Sequence, residues 1–190
     1  SKEGKVTFVQ PHQQYKVNDA MLKASDQIIC AYNATRVGLN SRLRTLHGRE
    51  GEPVPGDRIM CLKNSRELGI FNGMQGTVAA IDHGRRTLDF ETERGLVKDI
   101  QYLPKAFDKE KLDEDEQRDE RIGFFFCHAV TCHKAQGDEW GKVIVHEQMC
   151  KNWDHVRWAY TAASRAREKL IWIGAKRQAS RPRDAYDEIP

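Results

Sequence analysis

Thr131-Cys132-His133-Lys134-Ala135-Gln136-Gly137-Asp138-Glu139-Trp140 follows directly on the apolar stretch Phe124 to Val130 and leads into a second one, Lys142 to His146. Two strand-length apolar runs joined by a polar, glycine-bearing loop decide the fold class. In open α/β sheets ligands bind outside the carboxyl ends of the strands, and this loop starts at such an end. Its chemistry suits an anion: Lys134 supplies a point charge, and Gly137 lets backbone approach closely. Taken alone, the residues describe a phosphate-type loop of moderate specificity.

Downstream, Asp154 to Arg167 reads as a helix and Lys169 to Gly174 as a last strand. The helix closes on Tyr160-Thr161-Ala162-Ala163-Ser164-Arg165-Ala166-Arg167. Arginines at i and i+2 do not share a helix face, so Arg165 and Arg167 serve different ends. The alanines let the helix pack tightly and hold a guanidinium still, as an arginine finger facing a phosphoryl group must be held.

Upstream, Val17 to Ala24 predicts a short helix and Asp26 to Tyr32 a buried strand. Asn33 is the expected N-cap of a helix to Leu46, with Val37, Leu39, Leu43 and Leu46 as its apolar face. From Pro53 to Leu103 the hydrophobic period becomes two. Short strands at Arg58–Leu62, Gly76–Ile81, Thr87–Phe90 and Val97–Ile100 are separated by Asn72-Gly73, Asp82-His83-Gly84 and Arg94-Gly95 turns. Such spacing predicts a small antiparallel barrel inserted into an α/β domain. The expected organisation is therefore 1–52 and 123–175 as two parts of one parallel-sheet domain, 53–104 as the barrel, 105–122 as an acidic connector and 176–190 as a polar tail.

Composition narrows the function classes. The 190 residues carry a net charge of +3, but Asp108 to Arg121 holds eight acidic and four basic residues, net −4, so the remainder carries +7. A basic body suits a phosphate-backbone partner, although an ordinary solvated surface accounts for charge alone nearly as well. Five scattered cysteines argue against a disulfide framework and for a reducing compartment. No apolar run approaches the ~20 residues that cross a bilayer, and Ser1-Lys2-Glu3-Gly4-Lys5 lacks a secretory core. A soluble, cytoplasmic protein with no membrane partner is expected, in a bacterial or phage-infected cell.

Taken together, Thr-x-His-Lys-x-Gln-Gly-x-Glu-Trp before an apolar strand resembles motif V of superfamily 1 helicases. Tyr-Thr-Ala-x-Ser-Arg-Ala resembles their motif VI, usually written with Thr where this chain has Ser164. Ile29 to Leu43, with Asn33, Arg36 and Asn40, is similar to the more variable motif IV. The Gln-Gly form and the insertion point to the RecD-like branch, which includes the exodeoxyribonuclease V alpha chain and phage and conjugative helicases and typically moves 5′ to 3′.

That resemblance implies a RecA-like parallel sheet with helices on both faces, carrying a Src-homology-type barrel. It further implies ATP and Mg²⁺ held between this domain and an N-terminal RecA-like domain of the same parent. Arg165 would be the arginine finger and Arg36 a second γ-phosphate contact. Gln136, Gly137 and Glu139 would face the nucleotide, Glu139 through the ribose. Thr131, His133 and Lys134, with Asn33 and Thr35, would lie along single-stranded or duplex-junction DNA. A recombination, repair or replication complex is the implied setting. Lys63, Arg66, Arg85 and Arg86 of the insertion would contact phosphates, and Phe71 would stack on a base.

The chain contains no Gly-x-x-x-x-Gly-Lys-Ser/Thr and no apolar strand ending in an Asp-Glu pair, so by itself it is expected to hydrolyse no ATP. The competing reading is a stand-alone nucleic-acid-binding module. Cys127, His128, Cys132 and His133 are metal-ligand types, but adjacent side chains on a strand point to opposite faces, and no second Cys-x-x-Cys exists. No metal site is expected. Trp140, Trp153, Trp158 and Trp172 are expected to be mostly packing groups.

Overall fold

Two sheets of opposite character divide residues 5–175, the part of the chain that the computed structural model describes. The first is parallel and takes β1 (Lys5–Val9), β2 (Gln27–Cys30), β8 (Ala129–Thr131), β9 (Trp140–His146) and β10 (Ala166–Ile173), in the order β1-β10-β9-β2-β8. The second is antiparallel. It takes β3 (Arg58–Cys61), β4 (Gln75–Asp82), β5 (Thr87–Thr92), β6 (Gly95–Gln101) and β7 (Phe124–Phe126), in the order β6-β5-β4-β3-β7. The helices are α1 (Asp19–Lys23), α2 (Asn33–Leu46), α3 (Glu114–Arg118) and α4 (His155–Ala163).

Strand periodicity sorts the parallel sheet's side chains into two layers. Ile28, Ile144 and Ile171 pack with Leu22 of α1 and Leu43 of α2. Their neighbours Ile29, Val143, Val145, Leu170 and Trp172 pack on the other face against Trp158 and Ala162 of α4. Helices therefore cover both faces, as the resemblance implies. The edge strand β8 is closed off by a side chain: the Asn40 amide accepts from Ala129 N and donates to Ala129 O, both at 2.9 Å. That contact explains the burial of Asn40 on α2, where Arg36 and Arg44 are also buried beside Leu43 through partners of their own, instead of the purely apolar stripe expected. The N-cap is Tyr32, one residue earlier than expected.

The inserted sheet differs from expectation in two ways. Its outer strands β6 and β7 do not pair with each other, so the barrel is not closed. Its fifth strand comes from beyond the connector. The stretch Phe124 to Val130, expected as one strand of the parallel sheet, splits in two: Phe124 and Phe126 pair with Cys61 and Ile59 of β3, whereas Ala129 to Thr131 pairs with β2. The physical reason is shared burial. Phe124 and Phe126 complete an aromatic core with Phe90 and Phe107, and the Gln27 amide Nε2 donates to Cys127 O and His128 O where the chain changes sheets. The helix expected to run to Arg167 stops at Ala163, and β10 begins at Ala166, leaving Arg165 at the junction. β1 had no counterpart in the sequence reading. The expected tail at 176–190 lies outside the described residues.

The insertion is locked to the parallel sheet by a buried ion pair. Arg44, in the last turn of α2, sends Nε and Nη2 to the Asp57 carboxylate at 3.1 and 3.0 Å and lies over the Phe126 ring at 3.9 Å. Its other contacts are Gly51 O and Glu52 O. With Asp57 also accepting from Val54 N, four of the five guanidinium donors and both carboxylate oxygens are engaged, the kind of pairing under which buried charges are tolerated in a core.

Candidate functional site

Two clefts open on either side of the loop 132–139, and together they gather most of the expected site residues. The first, of about 620 Å³, is lined by Asn33, Arg36, Thr131, His133 and Lys134, with Phe125 and Glu110 opposite. The second, of about 960 Å³, is lined by Lys134, Gln136, Gly137 and Glu139, and by Phe71 and Gln75 of the insertion. Lys134 and Asn72 border both clefts. The loop turns at Gly137, whose φ of 95° lies in the left-handed region that side chains disfavour.

Arg165 lies outside both linings, but its orientation is fixed. Nε donates to Thr161 O at 3.1 Å, Nη1 to Asp138 O at 3.1 Å and Nη2 to Ser164 Oγ at 2.8 Å. Three of the five guanidinium donors are thereby used, and two remain for an incoming group. Its own carbonyl accepts from Trp140 N at 2.9 Å, so the helix end and the loop's exit are tied at one point. The small residues of α4 serve this geometry, since Ala162 is fully buried against the parallel sheet.

Arg36 is placed differently. It is 3% exposed, lies over the Phe125 ring at 4.0 Å, and donates to Lys109 O at 2.7 Å and Glu110 O at 3.3 Å. Burial lowers its pKa from the usual guanidinium value. The acidic connector thus holds Arg36 through backbone carbonyls and acts as a clamp at this point.

The remaining residues form a continuous surface at the carboxyl ends of β2, β8 and β9. Asn33 accepts from Arg36 Nε at 3.3 Å, and Thr35 Oγ1 accepts from Gln148 Nε2 at 2.8 Å. His133 stands edge-on to Trp153 at 4.9 Å, and Trp153 in turn lies 6.5 Å from the Tyr32 ring. Trp153 and Tyr32 are both partly exposed, so Trp153 shapes this surface instead of filling the core. Neither it nor Gln148 stood out in the sequence, because their role comes from distant chain segments meeting here. Lys134 Nζ donates to Asn72 Oδ1 at 2.7 Å, and burial lowers its pKa.

The metal-ligand types do not converge. Burial pushes Cys127 up to about 12 and Cys132 to about 11, so neither offers a thiolate near neutral pH. Among the described residues no group of three or more His, Cys, Asp or Glu is placed to hold a metal ion. None of the described helices is long and apolar enough to cross a membrane.

Residues 126–173, which hold the loop, α4 and Arg165, match the model of the UvrD-like helicase C-terminal domain. The superfamily 1 resemblance holds. The RecD-like branch is supported by a curated relative, the ATP-dependent RecD2 DNA helicase of Deinococcus radiodurans, 32% identical over 132 residues. That alignment covers 66% of this chain and 15% of the relative, so the chain spans a small part of the RecD2 length. Among solved structures, Pif1 helicase from Bacteroides in complex with ADP-AlF3 and ssDNA superposes with a TM-score of 0.55 at 21% identity, over 84% of this chain and 46% of that one. Pif1 helicase from Candida albicans gives 0.52 at 18%, over 78% and 44%. These structures share the fold of this chain.

Proposed function

We infer that this chain is the C-terminal motor half of an ATP-dependent DNA helicase, which carries the arginine finger and part of the single-strand track. The observation that carries the reading is Arg165: a guanidinium held by three hydrogen bonds, tied to the Gln136–Glu139 loop, with donors to spare. A preorganised positive group of this kind stabilises charge developing on a transferred phosphoryl group without reorganising during the step. ATP, with Mg²⁺, would sit against Gln136, Gly137 and Glu139, and the phosphate loop and metal-binding acids would come from an N-terminal RecA-like domain of the parent. Thr131, His133, Lys134, Asn33 and Thr35 would follow the DNA backbone along the smaller cleft. Arg36 would reach a γ-phosphate only if its contacts to Lys109 O and Glu110 O were released, which makes it the secondary contact.

The Pif1 structure with bound ssDNA and the RecD2 relative favour DNA as the strand and a motor as the role. The test is hydrolysis of ATP by the full-length protein with and without single-stranded DNA. Strand-stimulated turnover with unwinding of a forked duplex is expected. Salt-sensitive strand binding without any turnover would contradict the motor reading and favour a binding module.

A further inference from the structure

The geometry points to Gln75 and Asp138 as positioning residues through which the inserted sheet sets the arginine finger, an inference that rests on the role of Arg165 proposed above. Gln75 is the first residue of β4, paired with Met60 of β3, so its side chain starts from backbone held in the sheet. It reaches across the larger cleft, where Nε2 donates to Asp138 Oδ2 at 3.1 Å. The opposite amide orientation would face two acceptors toward each other, so the donor must point at the carboxylate.

Asp138 then makes the second half of the link with its backbone. Its carbonyl accepts from Arg165 Nη1 at 3.1 Å, while Gly137 before it turns the chain at a φ of 95°. One residue therefore touches the insertion through its side chain and the finger through its main chain. A second tie from the same part of the insertion, Asn72 Oδ1 to Lys134 Nζ, fixes the other end of the loop. The insertion and the loop also share apolar packing, with Met60 of β3 in one buried cluster with Cys132 and Ala135, while Gln75 and Asp138 line the larger cleft. A strand gripped by the insertion would shift Gln75, and the shift would reach the guanidinium through Asp138.

The test uses the full-length protein with Gln75→Ala, Asp138→Ala, their double variant, Asp138→Asn and Arg165→Ala. Losing one hydrogen bond of this class is expected to lower kcat of strand-stimulated ATP hydrolysis about three- to tenfold. KM for ATP and single-strand affinity should stay within about twofold, because neither residue is assigned to binding. The double variant should lose no more than the worse single one, and Asp138→Asn, which keeps an oxygen acceptor and the backbone carbonyl, should remain near wild type. Thermal melting checks the fold, and Gln75→Met, which removes the donor at similar length without adding a charge beside Asp138, replaces Gln75→Ala if that variant unfolds. Unchanged kcat in Gln75→Ala and Asp138→Ala, or additive losses in the double variant, would overturn the link while a large loss in Arg165→Ala leaves the finger standing. Unchanged kcat in Arg165→Ala itself would overturn both.

Discussion

The inserted sheet meets the parallel sheet along two seams, and the seams are built from different materials. One is buried. Arg44 pairs with Asp57 and covers Phe126, Arg36 covers Phe125, and Gln27 binds the carbonyls where the chain passes between sheets. The other is polar and half-open, with Asn72 on Lys134 and Gln75 on Asp138 across a cleft of about 960 Å³. Breaking the first leaves unpaired charge in a core. Breaking the second only lets water in. If the 132–139 loop answers to a strand as proposed, both kinds of joint are needed, one to keep the molecule folded and one to let the loop move.

The buried seam gives the largest expected effect on stability. Asp57→Ala strands the Arg44 guanidinium, whose side chain is 5% exposed, and should cost about 3–5 kcal/mol. Chemical denaturation measures it; an unmoved midpoint would show that this seam does not hold the sheets together. By contrast, Arg42→Ala on the outer face of α2 removes an ion pair with Asp19 whose two side chains are each 56% exposed, and should change stability by less than about 1 kcal/mol.

Between these limits lies a pH effect at the same seam. Burial, with Arg58, His47, Arg49 and Arg44 nearby, pushes His128 down to about 3 from an ordinary 6.5. The folded state therefore binds this proton less readily than the unfolded chain. Its stability is undiminished above about pH 6.5 and falls as pH drops from there toward 3. The melting temperature should decline through that window, and His128→Gln should make the decline shallower; an equal slope in both proteins would remove His128 as a source.

The open seam should show smaller effects, read on the strand. Phe71 is 43% exposed, with Arg94 over its ring at 5.2 Å, and Phe71→Ala should weaken single-strand binding about tenfold if a base stacks there. The exposed arginines Arg85 and Arg86 should instead each reduce the salt dependence of binding by about one unit of slope when replaced by Gln. Lys63 belongs with neither group, since its ammonium is engaged with Asp119 O of the connector.

Legibility in the sequence follows the same division. The parallel strands announce themselves as continuous apolar runs, and the order of the loop and α4 carries the helicase resemblance. The two-residue period and its turns place β3 to β6 closely. What could not be read depends on tertiary partners. Phe124 to Phe126 looks like a parallel-sheet strand until Phe90 and Phe107 are seen to enclose it. Arg36 and Asn40 look like surface or ligand residues until the connector carbonyls and the β8 edge are found beside them. Asn72 reads as a hairpin turn residue, and nothing in its neighbourhood along the chain hints at Lys134, 62 positions away.

The most direct test of the account is the turnover of the full-length protein with Arg165→Ala, measured at saturating ATP and single-stranded DNA beside its nucleotide affinity. A fixed guanidinium acting on the transition state predicts a loss in kcat on the order of 10³ with ATP affinity changed only a few-fold. A kcat within twofold of the unaltered protein, with the fold intact, would contradict it.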